Sequence, residues 1–406
     1  MIPLPTSLLA ELGEADVRAA EFTGVHVDSR RVQPGDLFVA VGRGADFRED
    51  AAARGAAATL LPRDAFAALA RIARTVRGLS SARVVGITGS MGKTSTKDIL
   101  AALCTPVART IAAEASYNNE IGVPLTLCRL EPETEVCVLE LAMRGFGQIA
   151  ALCEIARPEI GIVTNVGPVH LELVESIEGV RRAKGELIEA LPPGGTAVVP
   201  EDFPVARDDL DVVRIRPVSA ERTDGRTVVG GVSFNFTAAH QAQNAAAALA
   251  ALDALGLPRP AAVDVGFSRW RGEEGTLPGG GLLINDAYNA NPVSMRAALA
   301  YLAARAEGRR TVAILGDMAE LGRTAPEYHR EVGEAAVELG VDEVLAIGEL
   351  ARGYLAAGVR GRTVANVHEA LRVLPEVVRP GDAVLVKASR ALGLEAVAEA
   401  LSRVPA

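Results

Sequence analysis

Residues 84–95 constrain the fold more strongly than any other stretch of the chain. Small and apolar residues predict a strand, Gly89 and Gly92 predict a tight turn, and the pattern from Lys93 onward predicts a helix. Glycines let backbone N–H groups approach phosphate oxygens, and the positive end of the helix dipole lies at the same place. Lys93 can reach terminal phosphates, and the Thr94 hydroxyl can ligate Mg²⁺. The stretch predicts a loop that binds a nucleoside triphosphate; an ordinary strand–helix turn is the alternative.

This loop departs from the usual Walker A spacing. That pattern has a glycine six residues before the lysine, whereas Ile87 stands there and Gly86 lies one residue earlier. The prediction of phosphate binding therefore depends on the Gly-Lys-Thr sequence between a strand and a helix, and not on the glycines alone.

The length and charge of the chain limit its architecture and its partners. A chain of 406 residues is too long for one ordinary core, which predicts two or three domains. The net charge of −9 argues against nucleic acid or an acidic membrane as the main partner. Local basic clusters then serve small anionic ligands.

The cysteines and the apolar segments indicate the compartment. Cys104, Cys128, Cys137 and Cys153 form no C-x-x-C pair, and each lies in an apolar segment. This pattern predicts buried free thiols in a reducing compartment. The first residues lack the basic and apolar regions of a secretory signal, and no run of about 18 consecutive apolar residues occurs. We therefore expect a cytoplasmic protein without a membrane span.

Strands and helices alternate along most of the chain. Such alternation is typical of an α/β fold with a mostly parallel sheet, in which ligands bind at the carboxyl ends of the strands. Helices are predicted over 51–58, 64–76 and 238–255. Strands are predicted near 25–30, 37–41, 83–87, 135–140, 159–164, 196–199, 282–285, 311–315, 343–347 and 383–387.

A glycine- and proline-rich break at 274–281 predicts a domain boundary. We predict three α/β domains on this basis. They are a small N-terminal domain at 1–81, a central phosphate-loop domain with a mostly parallel sheet at 82–276, and a Rossmann-like C-terminal domain at 277–406.

Three charged or titratable residues stand at informative places. Glu140 ends an apolar strand and could hold Mg²⁺ beside the phosphate loop, although a surface acid is the alternative. His170 follows the strand at 159–164 and could contact metal or phosphate, although a lone histidine is usually structural. Lys184 lies in a basic run on a helix, where a solvated charge is the default.

Polar residues concentrate after two strands of the C-terminal part. Residues 285–292 are rich in amides and carboxylates and end in Pro292, which suits the first turn of a helix. Such a cluster suits recognition of a polar ligand, although turn and N-cap roles could explain half of it. Asp317 also follows a strand and could accept a hydrogen bond from a ribose hydroxyl.

The chain resembles the Mur ligases, the ATP-dependent amide-bond-forming ligases of peptidoglycan synthesis, over essentially its whole length. The family's phosphate loop looks like residues 88–94, which accounts for the missing Walker glycine. Residues 28–38 resemble its nucleotide-sugar-binding domain. Further similar segments are 118–126, 164–172 and 183–187, and the two most specific for the branch that adds D-alanyl-D-alanine are 286–295 and 314–322.

Three positions depart from the family pattern. Residues 44–48 replace an Asp-Gly-His element, so contacts of the 42–49 loop are not assigned. Gln241 stands where a second asparagine often follows the histidine, and Ala388 replaces a glycine of Lys-Gly-Ser-Arg.

The resemblance implies a reaction and its ligands. ATP would phosphorylate the terminal carboxylate of a UDP-N-acetylmuramoyl tripeptide, and the amine of D-alanyl-D-alanine would attack the acyl phosphate to form the amide. The cofactors implied are ATP and Mg²⁺, and both partners are small molecules. We expect a monomer, with closure of the domains hinged near 274–281.

The resemblance also assigns residues to roles. Catalysis would use Lys93, Glu140, His170 and Lys184. One Mg²⁺ would be held by Thr94 and Glu140, and a second by His170 and a carbamylated Lys184. Nucleotide contacts would come from Gly89, Ser90, Met91, Gly92, Lys93, Thr94, Ser95, Asn244, Arg271 and Asp317. Substrate contacts would come from Ser29, Arg30, Asn118, Asn119, Asp286, Tyr288, Asn289, Asn291, Ser389 and Arg390.

Three other functions are consistent with parts of the sequence. A different member of the family would add another amino acid, or glutamate to a folate. A P-loop switch or motor would hydrolyse nucleotide to drive a partner protein, without a muramoyl substrate. A catalytically silent scaffold is opposed by the presence of Lys93, Glu140, His170 and Lys184.

Overall fold

The computed structural model describes residues 1–218, 221–223 and 225–403. Its contacts divide the chain into two compact units, which we call the first unit and the second unit. The first unit comprises residues 1–164, 182–235 and 243–265, and the second comprises 165–181, 236–242 and 266–406. The phosphate loop therefore belongs to the first unit, and the polar cluster at 285–292 belongs to the second.

The first unit begins with two small β-sheets. Their strands and the accompanying helices are β1 (Leu4–Pro5), β2 (Gly13–Val17), β3 (Glu21–Phe22), β4 (Val25–His26), β5 (Leu37–Val39), α1 (Arg48–Ala53), β6 (Ala58–Pro62) and α2 (Ala65–Leu79). One sheet has the order β2-β6-β5-β4, and β1 pairs with β3 in the other. The helix predicted over 51–58 is shorter and begins earlier, because the chain from Ala58 joins the sheet as β6.

A six-stranded parallel sheet forms the centre of the first unit. The elements along this part of the chain are β7 (Arg83–Thr88), α3 (Lys93–Cys104), β8 (Thr110–Ala112), α4 (Gly122–Leu127), β9 (Val136–Glu140), α5 (Gln148–Ala156), β10 (Ile160–Val163), α6 (Leu171–Val174), α7 (Ile177–Glu189), β11 (Thr196–Pro200) and β12 (Asp211–Ile215). The strand order is β12-β11-β10-β7-β9-β8. The predicted mostly parallel sheet is therefore confirmed.

The register of this sheet brings three strand ends together. Ile87 pairs with Glu140, and Thr88 pairs with Val163. The carboxyl ends of β7, β9 and β10 thus share one edge, where ligands of such sheets bind. The phosphate loop follows β7 and Glu140 ends β9 at this edge.

A small mixed sheet and a long helix follow. They consist of β13 (Glu221–Thr223), β14 (Arg226–Val229), β15 (Val232–Phe234), α8 (Ala239–Ala254) and β16 (Ala262–Val263). The sheet has the order β13-β14-β15-β16. The helix predicted over 238–255 is confirmed, whereas the small sheet was not predicted because each of its strands is only two to four residues long.

The second unit is built on another six-stranded sheet. Its main elements are β17 (Glu273–Leu277), β18 (Gly281–Asn285), α9 (Pro292–Arg305), β19 (Thr311–Gly316), α10 (Ala325–Glu338), β20 (Glu343–Ile347), β21 (Gly361–Val364), α11 (Val367–Val377), β22 (Ala383–Lys387) and α12 (Glu395–Ser402). The order is β17-β18-β22-β19-β20-β21, and only the pairing of β17 with β18 is antiparallel. Alternate residues of β19 enter two separate apolar cores, because side chains of a strand alternate between its faces: Ala313 and Leu315 lie in one core, and Val312 and Ile314 in the other.

The glycine- and proline-rich segment at 274–281 is a hairpin and not a connection between the units. Glu274 pairs with Ile284 and Leu277 pairs with Gly281, so the segment is part of the second unit's sheet. Gly279 and Gly280 have φ values of +71° and +76°, which the turn requires and which glycine adopts at little cost. The contact units change between Val265 and Gly266 instead. Hairpin turns and interdomain breaks share this composition, which is why the sequence pattern did not distinguish them; closure hinged at this segment stays a prediction.

All four cysteines are free and buried, as predicted. Burial raises the pKa of each thiol to about 12. Such thiols are poor nucleophiles near neutral pH. Among the described residues, none of the helices has the length and apolar character needed to cross a membrane.

Candidate active site

The turn between β7 and α3 needs glycine at two positions. A Cβ atom on Gly89, whose φ is +149°, would lie 1.8 Å from Thr164 Oγ1. A Cβ atom on Gly92, whose φ is +79°, would lie 2.4 Å from Asn244 Oδ1. Thr164 Oγ1 in turn donates a hydrogen bond to Met91 O at 2.6 Å. The structure therefore brings Asn244, the predicted adenine contact, directly against the phosphate loop.

The start of α3 presents the predicted phosphate-binding groups together. Gly92 is the N-cap of the helix in a left-handed conformation, and Lys93 is the first helical residue. Lys93 Nζ donates to Gly89 O at 2.8 Å, so the side chain folds back along the loop. Ser90, Thr94 and Ser95 are buried beside it. Loop N–H groups, a lysine and the positive end of a helix dipole make this an anion site.

Glu140 is a buried carboxylate held from two sides. The residue is only 1% exposed. Thr94 Oγ1 donates to Glu140 Oε2 at 2.7 Å, and Asn118 Nδ2 donates to Glu140 Oε1 at 2.8 Å. In the described part of the chain, both hydrogen bonds that this carboxylate accepts come from neutral groups. The burial of Glu140 excludes the alternative of a surface acid. Neutral donors leave the charge of a buried carboxylate uncompensated, and a bound cation would stabilise it.

The oxygen atoms of Thr94 and Glu140 suit Mg²⁺, a hard cation that prefers oxygen ligands. No group of three or more His, Cys, Asp or Glu side chains arranged for a metal occurs among the described residues. Mg²⁺ in nucleotide sites needs no such group, since it keeps waters and binds one or two protein oxygens together with substrate phosphates.

Lys184 is a buried amine on α7. The residue is 2% exposed, which excludes the alternative of a solvated helix charge. Burial, and to a smaller extent the charge of Lys93, hold the pKa of the Lys184 amine well below its usual value. Glu186, two residues later, accepts hydrogen bonds from Gly147 N and Ala150 N at the start of α5.

His170 lies in the second unit against an acidic residue that the sequence did not single out. His170 Nδ1 is 2.5 Å from Glu320 Oε2. Both residues have left-handed backbone conformations, with φ of +54° and +63°. Non-glycine residues in this region are uncommon, and they cluster at functional sites.

Cationic and aromatic side chains converge in the second unit. The guanidinium of Arg271 lies 3.8 Å from the centre of the Tyr288 ring, and that of Arg390 lies 4.6 Å from the centre of the Trp270 ring. The buried Lys387 contacts Asp286 Oδ2 at 2.5 Å and donates to Asn289 O at 2.8 Å. The predicted residues Arg271, Tyr288, Asp286, Asn289 and Arg390 thus share one region, to which Trp270 and Lys387 also belong.

Four of the predicted ligand-binding side chains accept hydrogen bonds from backbone N–H groups. Asn291 accepts from Ser294 N in a capping box at the start of α9, so the N-cap alternative applies to it. Asn119 Oδ1 accepts from Gly122 N at 2.9 Å. Ser389 Oγ accepts from Ala319 N at 2.8 Å, and Asp317 Oδ1 accepts from Ala351 N at 2.7 Å. Their ligand contacts stay predictions.

Ser29 and Arg30 lie on a short helical turn near the N-terminus. Asp28 caps this turn by accepting from Arg30 N. Hydrogen bonds from Arg30 hold the pKa of the Asp28 carboxyl at about 2. Ser29 is buried, whereas the Arg30 side chain is largely exposed.

Comparison with known families decides the relationship of this chain. Residues 87–252 match the family model of the Mur ligase middle domain, and residues 269–390 match that of the Mur ligase glutamate ligase domain. These two regions make up more than half of the chain. The chain belongs to the Mur ligase family. Membership in the Mur ligases removes the alternative of a P-loop switch or motor.

Individual Mur ligases resemble the chain over nearly its whole length. UDP-N-acetylmuramoyl-tripeptide–D-alanyl-D-alanine ligase of Mycobacterium tuberculosis (strain ATCC 25618 / H37Rv) is 36% identical, over 97% of this chain and 95% of that protein. The crystal structure of MurF from Acinetobacter baumannii has a TM-score of 0.86 at 26% identity, and the match covers 99% of both chains. MurF ligase from Thermotoga maritima in complex with ADP has a TM-score of 0.76 at 28% identity, over 94% of this chain and 97% of that one. The predicted fold class and family are confirmed.

A buried histidine supports the Asp317 turn of this Mur ligase and was not predicted. His329 is 0% exposed, and its Nε2 accepts from Met318 N at 3.0 Å. Its Nδ1 lies 2.6 Å from Ala325 O, so the neutral tautomer with a proton on Nδ1 satisfies both contacts. Burial lowers the pKa of His329 from its usual value, although the hydrogen bond with Ala325 and the charge of Asp317 oppose this effect.

Replacement of His329 by glutamine is expected to change the acid sensitivity of the fold. The unfolded imidazole binds a proton below about pH 6.5, whereas the buried imidazole stays neutral to lower pH. The stability contributed by His329 is therefore full above that pH and declines as the pH falls below it. The urea midpoints of wild type and His329→Gln, compared over about pH 5–8, measure this pH-dependent contribution to stability. The advantage of the wild type should shrink toward acid pH; a constant difference would contradict the assigned neutral state.

Proposed function

We propose that this chain ligates D-alanyl-D-alanine to a UDP-N-acetylmuramoyl tripeptide with consumption of ATP. The observation that carries the proposal is 36% identity over 97% of the chain to enzymes of that name. The phosphate loop, the buried Glu140 and the cationic cluster of the second unit are the features that such a reaction requires. ADP and inorganic phosphate are the other products.

The reaction joins two negatively charged groups before it forms the amide. A carboxylate oxygen of the tripeptide attacks the γ-phosphorus of ATP, and ADP leaves. The amine of the dipeptide then attacks the carbonyl carbon, phosphate leaves, and the amine proton is lost. Lys93 and the N-terminal N–H groups of α3 reduce the repulsion in the first step because they lie where negative charge accumulates.

Thr94 and Glu140 would hold one Mg²⁺, and His170 together with a carbamylated Lys184 would hold a second. Bound Mg²⁺ neutralises charge on the phosphates during transfer. A neutral amine can attack carbon dioxide, forming an N–C bond and releasing a proton, and the low pKa of the Lys184 amine supports this modification. The carbamate is an anion, so it attracts the cation that an ammonium would repel.

The remaining residues would recognise the nucleotide and the substrates. Asn244 would contact adenine, Asp317 the ribose, and Arg271 a phosphate. Ser29 and Arg30 would contact the nucleotide sugar. Asn118 and Asn119 would lie on the substrate side. The incoming peptides would contact Asp286, Tyr288, Asn289, Asn291, Ser389 and Arg390, since guanidinium groups suit carboxylates.

The compartment and assembly follow from the same proposal. Free thiols at all four cysteines fit a reducing compartment. We therefore place the enzyme in the cytoplasm. We also propose that it acts as a monomer.

A product assay with defined substrates tests the proposed reaction. Purified enzyme is incubated with ATP, Mg²⁺, a UDP-N-acetylmuramoyl tripeptide and D-alanyl-D-alanine, and the pentapeptide product is measured by mass. Parallel reactions replace the dipeptide by single amino acids, or the tripeptide by a folate with glutamate. Pentapeptide formation that requires both substrates supports the proposal. Product only with a single amino acid or with the folate would show a different Mur ligase activity.

A further inference from the structure

Lys97 is a buried basic residue to which the proposed reaction gives no role. It lies one turn after Lys93 on the same side of α3, and the residue is only 3% exposed. Lys97 Nζ donates to Ala113 O at 2.8 Å and to Ala115 O at 3.1 Å. It also lies 2.8 Å from Asp98 Oδ1. These contacts use all three N–H donors of the ammonium, and two of the acceptors are carbonyl oxygens of the backbone that follows β8.

The backbone that Lys97 holds has an unusual conformation. Ala115 has φ of +46°, in the left-handed region that alanine rarely adopts. The turn is closed by Tyr117 N, which donates to Glu114 O at 2.9 Å. Such a conformation persists only where the surroundings impose it, and it marks a segment whose exact course matters. The hydrogen bond from Lys97 to Ala115 O is a direct constraint of this kind.

This turn delivers Asn118 to the end of β9. Asn118 O accepts from Ala142 N at 2.9 Å, and its side-chain amide donates to Glu140 Oε1 at 2.8 Å. Thr94, on α3, donates to the other oxygen of Glu140. The carboxylate is therefore held from α3 and from the turn, and Lys97 joins these two supports because it lies on α3 and binds the turn.

We propose that Lys97 is a positioning residue that sets the orientation of the Glu140 carboxylate through the 113–118 turn and Asn118. The inference rests on the proposed function, in which Glu140 holds Mg²⁺. Loss of the ammonium would leave the carbonyl groups of Ala113 and Ala115 without this donor, and the turn would relax. Asn118 would then no longer fix Glu140, and the affinity for Mg²⁺ and kcat would both fall.

A double-mutant cycle of Lys97→Met and Asn118→Ala tests this inference. We expect Lys97→Met to lower kcat about 30-fold, to raise the half-saturating Mg²⁺ concentration about 5-fold, and to leave the KM for D-alanyl-D-alanine within about 2-fold. Asn118→Ala should raise the half-saturating Mg²⁺ concentration by less than about 2-fold further in the Lys97→Met background, because both changes break the same support of Glu140. Multiplied effects, or wild-type Mg²⁺ dependence in Lys97→Met, would overturn the proposal.

Binding measurements keep this test separate from the ligation reaction. Calorimetry of ADP with and without Mg²⁺ should show that Lys97→Met loses the Mg²⁺-dependent gain in affinity and keeps Mg²⁺-free binding, whether or not wild type forms the pentapeptide. Absence of pentapeptide with wild type would contradict the proposed function alone. Lys97→Gln retains an amide donor and should give a smaller change of the same kind, which serves if Lys97→Met does not fold.

Arg77 provides a matched control for the loss of a buried cation. Its guanidinium is buried in the same unit and donates to Ala156 O at 2.9 Å and to Ser80 O at 3.2 Å, away from the 113–118 turn. Arg77→Met should lower the unfolding midpoint without changing the Mg²⁺ dependence. An equal shift in Mg²⁺ dependence in Arg77→Met would show a general loss of stability and overturn the positioning role.

Discussion

Lys184→Ala is expected to ligate at least about 1,000-fold more slowly than wild type. The Lys184 amine is buried and its pKa is well below the usual value, because of burial and of the neighbouring charge of Lys93. It is thus suited to become a carbamate, and the variant would lose the anion that we propose for the second Mg²⁺. The measurement is the initial rate of pentapeptide formation at saturating ATP and Mg²⁺.

Small carboxylates separate the carbamate from other roles of Lys184. Formate or acetate can enter the space left in Lys184→Ala and replace the lost anion, so part of the activity should return. Lys184→Met removes the same amine but fills the space, and it should stay inactive in the same buffers. Wild-type turnover in Lys184→Ala, or a complete lack of rescue, would contradict the carbamate role.

Glu140→Gln is expected to lower kcat by about 10²–10⁴-fold and to raise the Mg²⁺ requirement. The amide has nearly the same shape as the carboxylate but no charge with which to hold the cation. It would also place an NH₂ group where the carboxylate accepts a hydrogen bond from Thr94 or Asn118. Steady-state rates over a Mg²⁺ titration measure both changes.

Glu133 offers the matched control for this loss of charge. It is an exposed acid on the loop before β9. Glu133→Gln removes the same charge without touching the phosphate loop and should behave as wild type. If Glu140→Gln kept the wild-type response to Mg²⁺, Glu140 would not be a metal ligand.

The sequence predicted those features that depend on local patterns. The strands at 343–347 and 383–387 match β20 and β22, because each contains four consecutive apolar residues in a buried parallel sheet. The phosphate loop was predictable because close approach of backbone to phosphate requires glycine and a following helix. Glu140 was found because parallel sheets gather their ligands at strand ends.

Features that arise from distant contacts were not predicted. Lys97 and His329 belong to no motif, and Glu320 lies in the 314–322 segment, where it was given no role. The contacts of all three residues depend on backbone or side chains that the fold brings near. A charged residue on the buried side of a predicted helix was the signal that could have identified Lys97. The segment at 274–281 has the composition of both a hairpin and a linker, and only pairing with Ile284 distinguishes them.

Some side chains suit two different roles, and the sequence alone does not decide between them. Asn291 suited both ligand recognition and helix capping in the sequence, and the structure shows it as the cap of α9. The default interpretation of Lys184 from the sequence was a solvated charge, and only its burial in the structure shows an amine of low pKa. Exposure and neighbours decide such cases, and neither is a local property of the chain.

The oxygen atom that moves during the reaction tests the central claim most directly. In the proposed reaction a carboxylate of the tripeptide attacks ATP, so phosphate must leave with one oxygen from that carboxylate. With the terminal carboxylate labelled with ¹⁸O, mass spectrometry of the released phosphate should find one labelled oxygen for each pentapeptide formed. Unlabelled phosphate released together with pentapeptide would contradict the acyl phosphate and the attack of the tripeptide carboxylate on ATP.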